Sequence, residues 1–226
     1  MPRNMNTDAI SPKSVAAAID HTLLDPDASG EALSRLCDEA VAHGFRAVCV
    51  YPRHADLVSR RLAGSGIKVA AVVGFPSGLE TTDEKVRQAN EALSAGAVEL
   101  DMVINRAALA KRDFMTVYRD IGAVVAVAAP FAVKVILETA ALPEDLIVAG
   151  AAIGKAAGAA FVKTSTGFGP GGASERAVAL LRATVGTGMG VKASGGIKTL
   201  AQARAMLAAG ADVLGCSASV SIVSGR

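Results

Sequence analysis

Residues 143–167 read PEDLIVAGAAIGKAAGAAFVKTSTG, a helix, a break, a strand and a loop in twenty-five residues. Apolar residues recur at helical spacing as far as Ala157, and Gly158 then supplies the left-handed residue on which helices commonly end. The short β-branched and aromatic run 161–163 follows, closed by Lys163 and the hydroxyl-rich Thr164-Ser165-Thr166-Gly167. The phrase Ala-Gly-Ala that opens the strand, at 157–159, also stands at 95–97 and 209–211, each time just before a strand-like run.

Working outward, strands are expected at 18–22, 47–51, 68–73, 98–104, 132–137, 161–163, 190–193 and 213–215. Helical patterns lie between them at 30–42, 82–95, 114–128, 143–157, 174–184 and 200–208, with Gly44, Gly96, Gly158 and Gly210 as closing residues. Alternating strands and helices demand right-handed parallel crossovers, and eight units without an inserted domain close most simply into an α/β fold of the (β/α)8 TIM-barrel type. A doubly wound open sheet is the rival. It lacks support, because no G-x-G-x-x-G follows the first strand. The expected organisation is a flexible segment over 1–12 and a single barrel domain over 13–226.

In such a barrel the chemistry sits at the C-terminal ends of the strands. Asp20, Asp101, Lys163 and Lys192 all fall there. Alternation along strand four places Glu99, Asp101 and Val103 on one face, with Leu100 and Met102 turned to the helices. A lysine at the buried end of a strand must find a carboxylate or surrender its proton, and a neutral lysine amine is a nucleophile for carbonyl carbon. A second charged lysine beside it would hold it neutral. Plainer readings exist for each group: Lys163 snorkelling to solvent, Lys192 as half of an ion pair with Asp20 or Asp101, and Asp101 satisfying buried donors. Asp101 also suits proton transfer between amines.

The loop Ser194-Gly195-Gly196 ahead of a helix, together with Gly215-Cys216-Ser217 after strand eight, matches the place where barrels bind phosphate. Gly169-Pro170-Gly171-Gly172 reads as a flexible loop. His21, His43 and His54 have no ligand spacing and no H-x-H or H-E-x-x-H occurs, so metal catalysis is not expected. Of the three, only His21, next to Asp20, is placed to border the mouth. Cys49, in strand two, reads as a core or cavity-wall thiol.

Composition narrows the partners. The 226 residues are 51% hydrophobic, which suffices for one large core, and carry a net charge of +2. With 4% aromatic residues and no Trp, nothing suggests a nucleic-acid surface, and no apolar run is long enough to span a membrane. Three scattered cysteines, Cys37, Cys49 and Cys216, suit a reducing cytoplasm. The first thirteen residues lack the apolar core of a signal peptide. A small-molecule partner is expected.

Six ordered segments carry a resemblance: IDHTLL at 19–24, VCVYP at 48–52, VGFPSG at 73–78, ELDMVIN at 99–105, FVKTSTGF at 161–168 and VKASGGI at 191–197. Together they resemble the deoxyribose-phosphate aldolases over nearly the whole chain. The resemblance implies a class I aldolase on a (β/α)8 barrel that uses no metal or other cofactor. Its partners would be a sugar phosphate and aldehydes, with 2-deoxy-D-ribose 5-phosphate cleaved to acetaldehyde and D-glyceraldehyde 3-phosphate. Lys163 would form the Schiff base, Lys192 would keep it neutral, Asp101 would relay protons and Asp20 would position Lys192. Thr166, Gly167, Gly195, Gly196, Gly215 and Ser217 would hold the phosphate, with Cys49 and Phe75 in the cavity wall. A homodimer or higher homo-oligomer is implied as well.

Two departures stand out. Where the family has a second hydroxyl after strand eight, this chain has Ala218, which implies weaker phosphate affinity. Residues Ser224-Gly225-Arg226 include no tyrosine of the kind some members use near the substrate. Two other readings remain open at this point: another Schiff-base sugar-phosphate aldolase, and a catalytically silent sugar-phosphate-binding barrel.

Overall fold

The computed structural model describes residues 10–225. Eight parallel strands close into a barrel in chain order: β1 (Ile19–Thr22), β2 (Ala47–Val50), β3 (Lys68–Val73), β4 (Glu99–Val103), β5 (Ala132–Ile136), β6 (Phe161–Lys163), β7 (Gly190–Ser194) and β8 (Val213–Cys216). β8 returns to β1 through the pairs Ile19 with Leu214 and Asp20 with Gly215. Closure leaves no sheet edge, which rules out the open sheet. The expected strands agree within two residues at each end.

The helices form the outer layer: α1 (Pro12–Ala16), α2 (Gly30–His43), α3 (Ala55–Arg61), α4 (Thr82–Ser94), α5 (Arg106–Ala110), α6 (Phe114–Ala128), α7 (Glu144–Ala156), α8 (Glu175–Val185), α9 (Leu200–Ala208) and α10 (Ser219–Ser224). α1, α3, α5 and α10 span seven residues or fewer, too short to show a helical repeat in the sequence. Side chains of Ser29, Thr81, Ser174 and Thr199 each accept a backbone N–H at a helix start, so the turn residues in the loops double as caps. Gly96 and Gly210 adopt φ of 93° and 116°. A Cβ would lie 2.3 Å from Ser59 Oγ at the first and 2.9 Å from Arg182 Cγ at the second, so glycine is required there for closeness as well as conformation.

Strand residues alternate between two environments. Val48, Val50, Leu100, Met102, Val133, Val135, Val162 and Val191 face outward into the main core with Leu36, Val117, Ile121 and Leu181 of the helices. Each such buried side chain contributes ~1.5–3 kcal/mol of hydrophobic stabilisation. The barrel interior is different: it holds the small cluster Cys49, Ala70 and Val72 beside a set of charged side chains. At the N-terminal end, the ring of Phe161 lies against Gly190 and under the Arg46 guanidinium, 5.9 Å from centroid to Cζ.

The expected flexible segment falls mainly on residues outside those described. Within the described part, Ile10 packs on the core, its carbonyl accepts Arg204 Nε at 2.9 Å, and Ser11 caps α1. No helix among the described residues is long and apolar enough to cross a membrane.

Candidate active site

Parallel register sets Lys163 and Lys192 side by side as partners across β6 and β7, and sets Asp101 opposite Lys134 across β4 and β5. All four point inward, and Asp20 joins them from β1. Lys163 Nζ donates to Asp101 Oδ2 at 2.8 Å; Lys192 Nζ donates to the same oxygen at 2.7 Å and to Asp20 Oδ2 at 2.5 Å. Lys134 Nζ contacts Asp101 Oδ1 and Glu99 Oε2, both at 2.7 Å. Below them, Arg46 reaches Asp20 at 2.6 Å and Glu99 at 2.5 Å. The four residues expected at one mouth are therefore one connected network, and Glu99 lies on the inward face of β4 as alternation requires.

Counting charge explains the direction of each shift. Three carboxylates, Asp20, Glu99 and Asp101, meet three cations, Arg46, Lys134 and Lys192, so a proton on Lys163 would be a surplus charge in the barrel. Lys68 reaches Glu99 as well, but half of its side chain lies in solvent, where water screens it. Burial lowers the pKa of Lys163, and neighbouring Lys192 lowers it further against the pull of Asp101. For Lys192 burial also opposes charge, yet Asp101 and Asp20 overcome it and raise the pKa. Burial would raise Asp101, but Lys134, Lys163 and Lys192 hold its carboxyl well below the ordinary range. Glu99 is similarly held down to about 2, with Lys134 the leading attraction against burial.

Lys134 and Arg46 were not expected from sequence. Lys134 carries the same signal as Lys163 and Lys192, a lysine inside an apolar β-branched run, whereas Arg46 lies one residue before its strand. Removing Lys134 should be costly, because it leaves Glu99 and Asp101 buried with less compensation. Lys134→Met is expected to lose about 3–5 kcal/mol of unfolding free energy at pH 7. The sign with pH follows from the lowered carboxyl values: their stabilisation is complete above the unfolded-state value and is lost as pH falls through the folded one, for Glu99 between 4.5 and about 2. Urea titrations at pH 7 and pH 3 should show the wild-type midpoint falling on acidification and the variant falling less. Equal midpoints for the two proteins at pH 7 would contradict the assignment.

Above this network a cavity of about 310 Å³ opens at the C-terminal end of the barrel. Lys163, Thr166, Gly167, Gly195, Gly196, Gly215 and Ser217 all line it, so the expected amine and the expected phosphate residues share one space. The N–H groups of Gly167, Gly196 and Ser217 donate to no protein acceptor among the described residues, which leaves them available to an anion. Thr166 differs from expectation. Its hydroxyl donates to Glu138 Oε2 at 2.5 Å, so its proton is not available to a ligand. Gly215 is needed for space, since a Cβ there would lie 2.9 Å from Ser194 Cβ and 3.1 Å from Lys192 Cε.

Cys49 is fully buried among Ala70, Val72, Leu24, Tyr51 and Phe75, beside the cavity rather than on its surface, and burial raises its pKa. The Phe75 ring meets Phe168 edge-on at 5.4 Å and lines a neighbouring recess of about 290 Å³. His21 does not border the mouth. It points outward from β1, with Nδ1 2.9 Å from Ser219 Oγ and Nε2 2.9 Å from Glu39 Oε2, because alternation that turns Asp20 inward turns its neighbour out. Among the described residues no group of three or more His, Cys, Asp or Glu side chains is placed to hold a metal ion.

A closed barrel with a buried lysine amine of lowered pKa at its mouth, hydrogen-bonded to a carboxylate that also holds a second, charged lysine, is the arrangement of an aldolase of the Schiff-base class. The model of the DeoC/LacD family aldolases matches residues 14–225, and the chain belongs to that family. It is 50% identical over 215 residues to a deoxyribose-phosphate aldolase of Thermococcus gammatolerans, covering 93% of this chain and 96% of that protein. A deoxyribose-phosphate aldolase of Brevibacillus brevis is 48% identical over 207 residues, 92% and 94% of the two chains. Among solved structures, the tetrameric deoxyribose phosphate aldolase of Aeropyrum pernix superposes with a TM-score of 0.89 at 35% identity, covering 95% of this chain and 92% of that one.

Proposed function

We propose that this aldolase cleaves 2-deoxy-D-ribose 5-phosphate reversibly to acetaldehyde and D-glyceraldehyde 3-phosphate, with no metal. The observation that carries the reading is Lys163, an amine with a lowered pKa that opens into the same cavity as a set of free backbone N–H groups. Lys163 Nζ attacks the C1 aldehyde of the open-chain sugar. The carbinolamine loses water, with Asp101 passing protons between Lys163 and Lys192, to both of which its Oδ2 is hydrogen-bonded. The resulting iminium accepts the electron pair of the C2–C3 bond as the C3 hydroxyl gives up its proton. D-Glyceraldehyde 3-phosphate leaves, the enamine takes a proton at C2, and water releases acetaldehyde and the free amine. Asp20 holds Lys192 in place, and the phosphate lies at Gly167, Gly195, Gly196 and Ser217, where remote binding energy orients the reacting carbons.

The test is incubation with 2-deoxyribose 5-phosphate and EDTA, with both products quantified. Equal amounts of acetaldehyde and glyceraldehyde 3-phosphate are expected, and binding without cleavage would favour the silent barrel. A homo-oligomer in the cytoplasm goes with this reading, supported by the tetrameric relative and by three buried free thiols.

Ala218 precedes α10 with no side-chain cap. Ala218→Ser is expected to cap that helix by ~0.5–1 kcal/mol and to lower KM for the phosphorylated sugar about threefold. An unchanged KM in steady-state assays would remove the second part.

A further inference from the structure

Glu138 combines several unfavourable features at one position. It is fully buried, and it adopts φ of 63° and ψ of 59°, a conformation that side chains other than glycine rarely take. One carboxylate oxygen, Oε1, has no hydrogen-bond partner among the described residues. Burying a carboxylate with an unpaired oxygen at a strained position is expensive, and such residues persist where the surroundings demand them.

What Glu138 touches is the loop that follows Lys163. Its Oε2 accepts the Thr166 hydroxyl at 2.5 Å and the Thr166 N–H at 3.3 Å. With its proton committed to Glu138, the Thr166 oxygen accepts the Phe168 N–H at 3.1 Å. The chain between these contacts is Gly167, at φ of 90°, whose N–H faces no protein acceptor among the described residues. The turn then runs closely over the carboxylate, since a Cβ at Gly169 would lie 2.6 Å from Glu138 Cδ. Phe168 fixes the far side through its edge contact with Phe75. The loop is thus held from beneath by one carboxylate, through a hydroxyl whose direction decides where Gly167 points.

We infer that Glu138 is a positioning residue that sets the preference of this site for phosphorylated over free sugar, by holding the Thr166–Phe168 turn so that the Gly167 N–H faces the anion. The inference rests on the proposed substrate. The Glu138 side chain is not part of the cavity lining and bonds only to Thr166 among the described residues, so its influence is expected at the end of the substrate that carries the phosphate. The free sugar, which has nothing to place there, is indifferent to it.

The experiment compares kcat and KM for 2-deoxyribose 5-phosphate and for 2-deoxyribose in the wild type, Glu138→Ala and Glu138→Gln. Alanine is expected to raise KM for the phosphorylated sugar about tenfold with kcat within twofold, and to leave kcat/KM for the free sugar unchanged. Glutamine, which keeps an oxygen for Thr166, is expected to restore most of the loss. Thr166→Val removes the same bond from the other side and is expected to raise KM for the phosphorylated sugar in the same way, which keeps the test available if Glu138→Ala does not fold. Equal losses on both sugars, or an unchanged preference in Glu138→Ala and Thr166→Val, would overturn the inference while leaving the proposed function intact. A wild type that cleaves neither sugar would overturn both.

Discussion

Lys163→Met is expected to lose 2-deoxyribose 5-phosphate cleavage by a factor on the order of 10⁴ to 10⁶, the scale on which enzymes fail when a covalent nucleophile is removed. The fold should not suffer. Asp101 keeps Lys134 at 2.7 Å and Lys192 at 2.7 Å, so no buried carboxylate is orphaned when Lys163 goes. Methionine is close to lysine in volume and is indifferent to desolvation. The melting temperature should therefore stay level or rise, as happens when a strained catalytic group is replaced. Substantial residual turnover in steady-state assays, or a marked drop in melting temperature with the circular dichroism of an opened barrel, would contradict the assignment.

Lys192→Gln is the second large effect, and its signature is in the pH profile. Removing one cation leaves Arg46 and Lys134 against Asp20, Glu99 and Asp101, a buried deficit that Lys163 fills by keeping its proton. The amine then holds its proton more tightly, and kcat/KM at pH 7 should fall about a hundredfold. The sign is definite: the pKa of Lys163 rises, so the ascending limb of the pH–rate profile moves to higher pH and part of the activity returns on the alkaline side. A profile that drops uniformly, with the limb in place, would show that Lys192 acts by some means other than its charge.

The difference between what was legible in the sequence and what was not has a physical pattern. Lys163, Lys192 and Asp101 stood out because a charge inside an apolar β-branched run is costly wherever the strand lies; Lys134 bears the same mark but has no hydroxyl- or glycine-rich loop directly after it to point to a ligand. Barrel closure was readable from eight alternating strand and helix units with no inserted domain, and strand alternation put Glu99 and Asp101 on one face. Arg46 and Glu138 lie one and two residues outside their strands, where neither alternation nor helical spacing fixes a direction. Their roles depend on a guanidinium reaching two strands and on a left-handed residue turning a carboxylate under a distant loop. His21 was misplaced at the mouth because adjacency to Asp20 in sequence means the opposite face in a strand. Thr166 was placed at the phosphate by the family resemblance, and only the position of Glu138 reveals that its proton is engaged.

The most direct test of the central claim is to trap the imine. The protein would be treated with borohydride in the presence and absence of 2-deoxyribose 5-phosphate, digested, and searched by peptide mass spectrometry for the reduced adduct. The account predicts a substrate-dependent adduct on Lys163, with Lys134 and Lys192 unmodified because each stays protonated within its carboxylate pairs. An adduct on Lys192 instead would reverse the roles of the two lysines, and cleavage of the sugar with no adduct on any lysine would contradict amine catalysis itself.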